Sequence, residues 1–335
     1  MITFKQIYKS YRSRFAVDNL NLEIKEGELF ILLGESGSGK TTSLKMVNRL
    51  IKPDTGQVLL NNIDISAIEP TQLRKGIGYV MQYYGLFPHY TVKENIAIVP
   101  RLLNWDKEKI DRRSADLMTV FGLDPIRFLH RYPAELSGGQ QQRIGMIRAL
   151  MASPPVLLMD EPLGALDPVT RSSIRNEFKT LEELKNKTIL MVTHDIQEAF
   201  ILADRIGLMF EGQLIQVGKP IDFLLHPASK IVADFFKDQH FSLMLECITF
   251  AELLPELKLI EDRSHITLPV KHSVELHDSA RKLLELFSIN SEDFQLIVWE
   301  SASGADSLIL NKELFMNSYF RYLKQQPLLV NKISS

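Results

Sequence analysis

The chain has little cysteine and no long hydrophobic run. Cys247 is the single cysteine among 335 residues, which excludes a disulfide-stapled scaffold and fits a reducing compartment. No apolar stretch approaches the roughly 18 residues that span a bilayer, and the first residues, MITFKQIYKSYRS, lack the apolar segment of a secretory leader. We therefore expect a chain that acts at a membrane only through a partner.

An excess of charge of either sign is also missing. The 39 Lys and Arg residues nearly balance 41 Asp and Glu, giving a net charge of −2. Proteins that bind nucleic acid by releasing counterions need a basic surface, so we expect no nucleic-acid partner. The length and the 45% hydrophobic content suit about two domains with an ample buried core.

Residues 1–238 alternate short apolar runs with helical patterns, which indicates an α/β fold. The runs Leu29–Leu33, Val156–Met159 and Thr188–Val192 are continuous and apolar, as expected of parallel strands buried on both faces. Near the N-terminus apolar and polar residues alternate instead, which predicts antiparallel strands. The segment from about residue 91 to 150 is mostly helical and opens with the capping-box pattern TVKEN.

Glycine is missing between Gly218 and Gly304, where the strong motifs also stop. We predict that residues 239–335 form a small second domain of α+β type. Its predicted elements, in order, are strand ITLPV, helix VELHDSARKLLELF, strand FQLIVWE, strand DSLILN and helix KELFMNSYFRYLK.

The stretch GESGSGKTT matches the pattern of a phosphate-binding loop, follows the strand LFILL and opens a helical pattern. Such a loop curls so that backbone N–H groups and the helix dipole face phosphate oxygens. Lys40 is expected to reach the β- and γ-phosphates, the Thr41 hydroxyl to bind Mg²⁺, and the Glu35 side chain to point away. The residues predicted to contact the nucleotide here are Gly34, Glu35, Ser36, Gly37, Ser38, Gly39, Lys40, Thr41 and Thr42.

Polar side chains also follow three of the predicted strands. The run PVLLMDEP delivers Asp160 and Glu161 to the carboxyl edge of the sheet, where ligands bind in open α/β folds. Because successive strand residues face opposite ways, we expect Asp160 to orient Mg²⁺ and Glu161 to activate the attacking water. Gln82 is a candidate for contact with the metal or that water, and His194 for the γ-phosphate. Taken alone, Gln82 could equally be a surface residue and His194 a hydrogen-bonded core residue.

A second phosphate-binding pattern, LSGGQQQR, starts at Leu136. Ser137 and the amides of Gly138 and Gly139 form a cluster of hydrogen-bond donors at a predicted helix start. Two such clusters on one rigid chain cannot easily wrap one nucleotide, whereas two copies of the chain can share two nucleotides symmetrically.

The ordered set of GESGSGKTT, Gln82, LSGGQ, PVLLMDEP, the ALD loop (Ala165–Asp167) and His194 resembles the ATP-binding cassette (ABC) family over residues 1–238. The resemblance implies a P-loop NTPase cassette with a mixed sheet core, an antiparallel β subdomain and a helical subdomain. It also implies ATP and Mg²⁺ as ligands, and a head-to-tail dimer in which LSGGQ of each copy closes over the ATP of the other.

Roles for individual residues follow from this resemblance. Tyr11 matches the aromatic residue that stacks on adenine, although an ordinary strand tyrosine fits its position equally well. The resemblance implies catalytic roles for Glu161, His194 and Gln82, metal contacts for Thr41, Gln82 and Asp160, and contacts at the dimer seam for Ser137, Gly138, Gly139, Gln140 and Asp167.

A lone cassette without spans, coiled coils or a second cassette resembles a separate importer subunit. The segment YYGLFPHYTVKENIAIVP resembles the surface that receives the coupling helix of a membrane permease. Aromatic side chains there suit a groove for a partner helix, although about half of them could instead be core residues. These aromatics are Tyr83, Tyr84, Phe87 and Tyr90.

Within importers, stretches such as LKMVNRLIKPDTGQ and LLMDEPLGALDPVTR resemble the osmoprotectant group, which takes up glycine betaine, proline, choline or carnitine. This implies a peripheral position on the cytoplasmic face of the inner membrane, permease subunits and, indirectly, a solute-binding protein. An ATPase for another solute, such as amino acids, and a slow ATP-gated interaction protein are the alternatives.

The C-terminal βαββα pattern resembles one cystathionine-β-synthase-type (CBS) unit, which implies a regulatory or dimerisation role. Leu314 stands where an acidic or amide residue would hold a ribose, so we expect pairing with a second copy rather than nucleotide sensing. A purely stabilising appendage is the alternative.

Overall fold

The structure is a computed structural model that describes residues 1–83, 85–258, 272–289, 296–299, 307–310 and 312–325. Its Cα positions divide the chain into two compact units, the first ending at Val217 and the second starting at Gly218. This division lies before the predicted domain boundary near residue 238, which stays a prediction. Within the described ranges, no helix combines the length and the hydropathy that a membrane span requires.

The first unit alternates strands and helices, as the sequence pattern predicts. The strands up to Gly218 are β1 (Ile2–Tyr11), β2 (Arg14–Ile24), β3 (Leu29–Leu33), β4 (Thr55–Leu60), β5 (Ile63–Asp64), β6 (Ile77–Val80), β7 (Val156–Asp160), β8 (Thr188–Thr193), β9 (Arg205–Phe210) and β10 (Gln213–Gly218). The helices of this unit are α1 (Lys40–Val47), α2 (Pro70–Lys75), α3 (Val92–Leu102), α4 (Lys107–Val120), α5 (Pro125–Phe128), α6 (Gly138–Leu150), α7 (Pro168–Thr180) and α8 (Ile196–Leu202).

A six-stranded sheet in the order β10-β9-β3-β8-β7-β6 forms the centre of this unit. The five strands from β9 to β6 are mutually parallel. Strands β7 and β8 are buried along their whole length, which explains their continuous apolar sequences. Because these strands run the same way, the residues that follow β3, β6, β7 and β8 meet at one edge of the sheet.

A second sheet, in the order β2-β1-β4-β5, is antiparallel throughout, as the alternating N-terminal pattern predicts. One hydrophobic core joins it to the central sheet. That core contains Leu44, Met46 and Val47 of α1 together with buried residues of both sheets. Since α1 starts directly after the phosphate-binding pattern, this packing fixes the base of that loop.

The segment between β6 and β7 is mostly helical, as expected. Thr91 caps α3 in a capping box, as TVKEN predicts: its hydroxyl accepts from the Glu94 N–H, and the Glu94 carboxylate accepts from the Thr91 N–H. Hydrogen bonds from the Thr91 backbone and hydroxyl hold the pKa of the Glu94 carboxyl below its usual value. Helix α6, which carries the LSGGQ stretch at its start, lies between these helices and the central sheet.

The second unit contains helices followed by a small sheet. Its helices are α9 (Pro220–Leu225), α10 (Lys230–Phe236), α11 (His240–Cys247), α12 (Phe250–Lys258), α13 (Ala280–Ile289) and α14 (Lys312–Gln325). Its strands are β11 (His272–Val274), β12 (Leu296–Trp299) and β13 (Ser307–Leu310). β12 pairs in parallel with β11 and antiparallel with β13.

The order strand–helix–strand–strand–helix agrees with the predicted pattern from β11 to α14. The predicted strand ITLPV, residues 266–270, lies outside the described residues. The prediction that a helix starts at Val274 was wrong, because this β-branched residue pairs with Val298 in the sheet. Helix α13 starts only at Ala280, after Ser279, whose hydroxyl accepts a hydrogen bond from the Lys282 backbone.

Candidate nucleotide-hydrolysis site

The phosphate-binding pattern forms a tight loop between β3 and α1. Gly39 precedes the helix with φ 102°, a left-handed conformation that favours glycine. A β-carbon at Gly39 would lie 2.2 Å from the Ala16 carbonyl oxygen, so β2 backs the loop directly. The Gly212 backbone N–H donates to the Ser38 carbonyl at 3.2 Å and closes the loop from another side. The loop is therefore held by neighbouring backbone before any ligand arrives.

Lys40 occupies the first position of α1 and is 4% exposed. Its ammonium group donates to the carbonyl oxygens of Gly34 and Glu35, at 2.7 Å each. Burial lowers the pKa of Lys40, and the nearby carboxylates of Glu161 and Asp160 oppose that shift. A buried cation bonded only to neutral oxygens is well placed to exchange those bonds for a phosphate anion. Glu35 itself is exposed, while its carbonyl faces the lysine.

Asp160 ends β7 and is 5% exposed. Its Oδ1 accepts a hydrogen bond from the Thr41 hydroxyl at 2.8 Å, and its Oδ2 accepts one from Tyr79 at 3.2 Å. Lys45 lies 3.5 Å from the same Oδ2. Burial and the Asp160 charge together raise the pKa of Tyr79, so the phenol stays a donor. The Thr41 hydroxyl and the Asp160 carboxylate form a pair of hard oxygen donors of the kind Mg²⁺ prefers.

Glu161 lies in a separate cluster from its neighbour Asp160. Its Oε2 is 3.1 Å from both the Gln82 side-chain nitrogen and the His194 Nδ1. The three side chains come from the ends of β6, β7 and β8, so the structure brings together the three predicted catalytic residues. His194 is mostly exposed and Glu161 mostly buried, which leaves one open side to the cluster.

The backbone at Glu161 explains why the two acids face apart. Strand β7 ends at Asp160, and Glu161 takes φ 45°, a left-handed conformation that is strained for a non-glycine residue. Its N–H still donates to the Val192 carbonyl at 2.9 Å, which anchors the turn to β8. The predicted separation of the two acids is therefore present, but a backbone turn produces it rather than strand alternation.

The LSGGQ stretch is a helix start of a different kind. Ser137 caps α6, and its N–H donates to the Gln140 side chain at 3.0 Å while its Oγ accepts from the Gln140 backbone at 3.4 Å. The serine is exposed. The first turn of α6 has no acidic side chain, and Gly138, Gly139 and Gln140 are half-buried.

The remaining predicted nucleotide contacts are exposed. Asp167 caps α7, accepts from the Thr170 N–H at 3.1 Å and has a lowered pKa because of the Thr170 hydrogen bonds. Tyr11 is 50% exposed, with the Lys9 ammonium 5.4 Å from its ring centroid. Tyr11 ends β1 and Arg14 starts β2, so this aromatic stands at the tip of the hairpin whose second strand backs the phosphate loop.

The aromatic segment after Gln82 is exposed and held from beneath. Tyr83, Phe87 and Tyr90 are 76%, 51% and 45% exposed, whereas Tyr84 lies outside the described residues. Buried Asn95 accepts from the Phe87 N–H at 2.8 Å and donates to the carbonyls of Phe87 and Tyr90 at 3.1 Å each. The three described aromatics are thus surface residues rather than core residues.

Two contributors to the site were not predicted from the sequence. Tyr79 and Lys45 both reach the Asp160 carboxylate, and neither belongs to a motif. Tyr79 lies within the strand pattern GIGYVM, whose end faces the same sheet edge as Asp160, and this position is the signal that could have identified it. Lys45 lies five residues after Lys40 on α1.

A parallel sheet with a glycine-rich loop, a buried lysine, a hydroxyl–carboxylate pair and a glutamate cluster at one edge defines a P-loop nucleotide-binding protein. The family model described as ABC transporter matches residues 17–164.

Known proteins with similar sequences are named as ATP-binding proteins of transport systems. The osmoprotectant import ATP-binding protein OsmV of Salmonella typhimurium is 50% identical over 234 residues, which cover 70% of this chain and 61% of OsmV. The glycine betaine/carnitine/choline transport ATP-binding protein OpuCA of Bacillus subtilis is 49% identical over 236 residues, or 62% of its length. The glycine betaine uptake system ATP-binding protein YehX of Escherichia coli is 47% identical over 236 residues, or 76% of its length.

The matched segment thus spans about three fifths of the length of OsmV and OpuCA. Among solved structures, the ATP-binding cassette MJ0796, a dimer in a post-hydrolysis state bound to ADP and Pi, has a TM-score of 0.59 and 35% identity. The alignment covers 65% of this chain and 98% of that one. The chain belongs to the ABC transporter family.

Proposed function

We propose that this chain is the ATP-hydrolysing subunit of an importer that takes up a quaternary-amine osmoprotectant through a separate membrane permease. The observation that carries the hydrolytic part is the cluster of Glu161, Gln82 and His194 beside a complete phosphate loop. The relatives named as osmoprotectant, glycine betaine, carnitine or choline transport proteins support the cargo class.

The loop residues of β3–α1 hold the phosphates of ATP. Backbone N–H groups of Gly37 to Lys40 and the start of α1 supply donors, and the Lys40 ammonium leaves its two loop carbonyls for phosphate oxygens. Thr41 and Asp160 fit Mg²⁺, which neutralises phosphate charge when bound, and Gln82 is within reach of the same edge. Tyr11 offers its exposed ring to the adenine.

Glu161 acts as the general base in this proposal. Its Oε2 accepts from the Gln82 amide, which fixes the carboxylate within the cluster. His194 contacts the γ-phosphate through its ring and keeps Glu161 in place through Nδ1. A general base of this kind typically contributes 10²–10⁴-fold to the rate.

Two copies complete two sites in a head-to-tail dimer. Ser137 and Asp167 are exposed and Gly138, Gly139 and Gln140 are half-buried, so in this proposal their donors reach a nucleotide held by the other copy. The dimeric state of MJ0796 with ADP and Pi supports this arrangement. The chain then sits on the cytoplasmic face of the inner membrane, and the exposed Tyr83, Phe87 and Tyr90 receive an apolar helix of the permease.

For the second unit we propose a CBS-like pairing or regulatory role. The described β11–α13–β12–β13–α14 order supports it, as does the aromatic packing of Phe287, Phe315 and Tyr319 that gives this unit its own core. A version of the chain that ends at Lys237 tests the proposal. Unchanged dimerisation and unchanged response of uptake to salt would contradict it.

The function is tested by two linked assays. Purified chain should release phosphate from ATP in the presence of Mg²⁺, and Lys40→Ala should abolish this release. In the producing cell, deletion of the gene should abolish uptake of labelled glycine betaine, choline or carnitine, and only the chain with Lys40 intact should restore it. Loss of amino-acid uptake instead would favour the other importer class, and ATP binding without turnover, even with the permease present, would favour an ATP-gated interaction protein.

A further inference from the structure

Arg171, near the start of α7, joins two loops of the site. Its Nη2 donates to the Leu166 carbonyl at 3.0 Å, and its Nη1 donates to the Asp195 carboxylate at 3.3 Å. Leu166 belongs to the ALD loop and directly precedes Asp167. Asp195 directly follows His194. One guanidinium group therefore ties the loop expected at the dimer seam to the loop that carries the imidazole.

Hydrogen bonds fix the loop around His194, so a displacement of Asp195 also moves His194. The other Asp195 oxygen accepts from the Glu198 N–H at 3.1 Å and caps α8. The Asp195 N–H donates to the Thr193 hydroxyl at 3.0 Å, and that hydroxyl donates to the buried Glu198 carboxyl at 2.6 Å. Residues on both sides of His194 are thus fixed, so a shift of Asp195 reorients the residue before it.

On the ALD-loop side, the connection to Arg171 also spans only a few residues. Asp167 caps α7 through the Thr170 N–H, and Arg171 follows on the next position of the same helix. The ALD loop, the first turn of α7 and the guanidinium therefore form one piece. The planar guanidinium presents separate N–H groups in a fixed fork to the carbonyl and the carboxylate, a geometry that the ammonium of lysine does not reproduce.

We propose that Arg171 is a positioning residue that couples the arrival of a second copy at the ALD loop to the placement of His194 beside Glu161. This inference rests on the head-to-tail dimer of the proposed function. Arg171 makes no contact with nucleotide in this proposal and acts through its bonds to Leu166 and Asp195. Turnover should therefore depend on it, whereas nucleotide affinity should not.

The test uses the full chain with Arg171→Lys, which keeps the charge and loses the fork, and Asp195→Asn, which keeps the helix cap and loses the charge. We expect kcat to fall about tenfold in both, with KM for ATP changed by less than about twofold. The matched control is Arg175→Lys. Arg175 lies one turn further along α7 and bonds Gln197, which belongs to neither loop, so kcat should stay within about twofold.

A double-mutant cycle shows whether the effect passes through the imidazole. In a His194→Ala background, followed by single turnover with excess enzyme, Arg171→Lys should cost less than about twofold further. An equal fold loss in both backgrounds, or a raised KM at unchanged kcat, would overturn the positioning role. Failure of the unmutated chain to hydrolyse ATP would instead contradict the proposed function, and thermal unfolding of each variant identifies a general loss of fold.

Discussion

The phosphate loop and the LSGGQ stretch both put glycines at the start of a helix, yet the structure treats them in opposite ways. The phosphate loop is backed by the Ala16 carbonyl and contains a buried lysine that holds two of its own carbonyls. In the LSGGQ stretch Ser137 is exposed, Leu136 is buried and the other three residues are half-buried, and the capping bonds run between Ser137 and Gln140. The phosphate loop is thus an anion site enclosed by its own chain, whereas the LSGGQ stretch is an open helix start.

This difference supports the proposal that two copies of the chain share each nucleotide. A helix N-terminus attracts an anion through its free N–H groups, but a site that excludes water needs walls on every side. The phosphate loop has walls of its own at one edge of the sheet. The LSGGQ stretch offers donors on one side only, and in the proposed dimer the phosphate loop of a second copy holds the nucleotide on the other side.

Among the substitutions that test this difference, Glu161→Gln should have the largest effect on turnover. We expect turnover to fall by about 10²–10⁴-fold, because the amide cannot take a proton from water, while ATP binding persists. With hydrolysis blocked, the two kinds of helix start should remain together, so the variant should elute as a dimer in ATP and as a monomer without it.

The matched control for that variant is Glu182→Gln, an exposed glutamate paired with Lys185 outside the site. It should hydrolyse ATP like the unmutated chain. Hydrolysis at the normal rate by Glu161→Gln would contradict the base assignment, and a monomer in ATP would contradict the shared site.

Alanine at Gly39 and at Gly139 should affect different steps, ATP binding in the first variant and turnover in the second. Gly39→Ala combines a left-handed φ with a backbone clash at 2.2 Å, and we expect a cost of about 4 kcal/mol and loss of ATP binding. Gly139→Ala meets side chains and no backbone of other elements, the Thr170 methyl group at 2.7 Å and Ile174 at 3.6 Å, within helix α6. This variant should fold and bind ATP while losing turnover.

Denaturant unfolding and equilibrium binding of a fluorescent ATP analogue measure both alanine variants. Equal losses of unfolding free energy in Gly39→Ala and Gly139→Ala would show that the LSGGQ stretch is packed as tightly as the phosphate loop. Normal turnover by Gly139→Ala would show that this helix start contributes nothing to hydrolysis.

Motifs in the sequence predicted the components of the site well, because each follows a strand of the central sheet. Leu29–Leu33 is a strand over that same range, and Gln82, Glu161 and His194 meet as the strand ends require. The reason given for the separation of the two acids was incomplete, since Glu161 is turned by its positive φ. Local periodicity does not encode such a turn, which depends on the Val192 carbonyl of a neighbouring strand.

Contacts between distant segments were likewise beyond the sequence. Tyr79 and Lys45 reach Asp160 from another strand and a helix, and no spacing rule links them. In the second unit, the apolar spacing from Val274 onward predicted helix, but pairing with Val298 takes that residue into a strand. Tertiary pairing overrode a local preference there.

Glu198→Gln should have the smallest effect, and it concerns the residues on either side of His194, Thr193 and Asp195, to which Glu198 is hydrogen-bonded. Burial raises the pKa of the Glu198 carboxyl from 4.5 to about 7, so the folded chain binds this proton more tightly than the unfolded chain. The free energy of unfolding should therefore fall as pH rises from 4.5 to 7, by at most about 3 kcal/mol.

Glutamine cannot ionise, so the variant should lose that slope and be the more stable form at pH 8. Thermal unfolding between pH 4.5 and 8 measures it. The control Glu183→Gln should show the reverse, because Arg113 lowers the pKa of Glu183 and its charge stabilises the folded chain at neutral pH. An unchanged slope in Glu198→Gln would contradict a buried, protonated carboxyl behind the His194 loop.

Mixing two inactive variants tests the shared site most directly. Lys40→Ala removes the phosphate loop's cation, and Ser137→Arg blocks the LSGGQ donors, so each variant alone has no complete site in a head-to-tail dimer. In a mixed dimer, the intact loop of one copy meets the intact LSGGQ of the other, which gives one complete site out of two. An equimolar mixture, in which about half of the dimers are mixed, should therefore release phosphate at about a quarter of the unmutated rate. A mixture that stays inactive although mixed dimers form, or a Ser137→Arg chain that hydrolyses ATP unaided, would contradict the account.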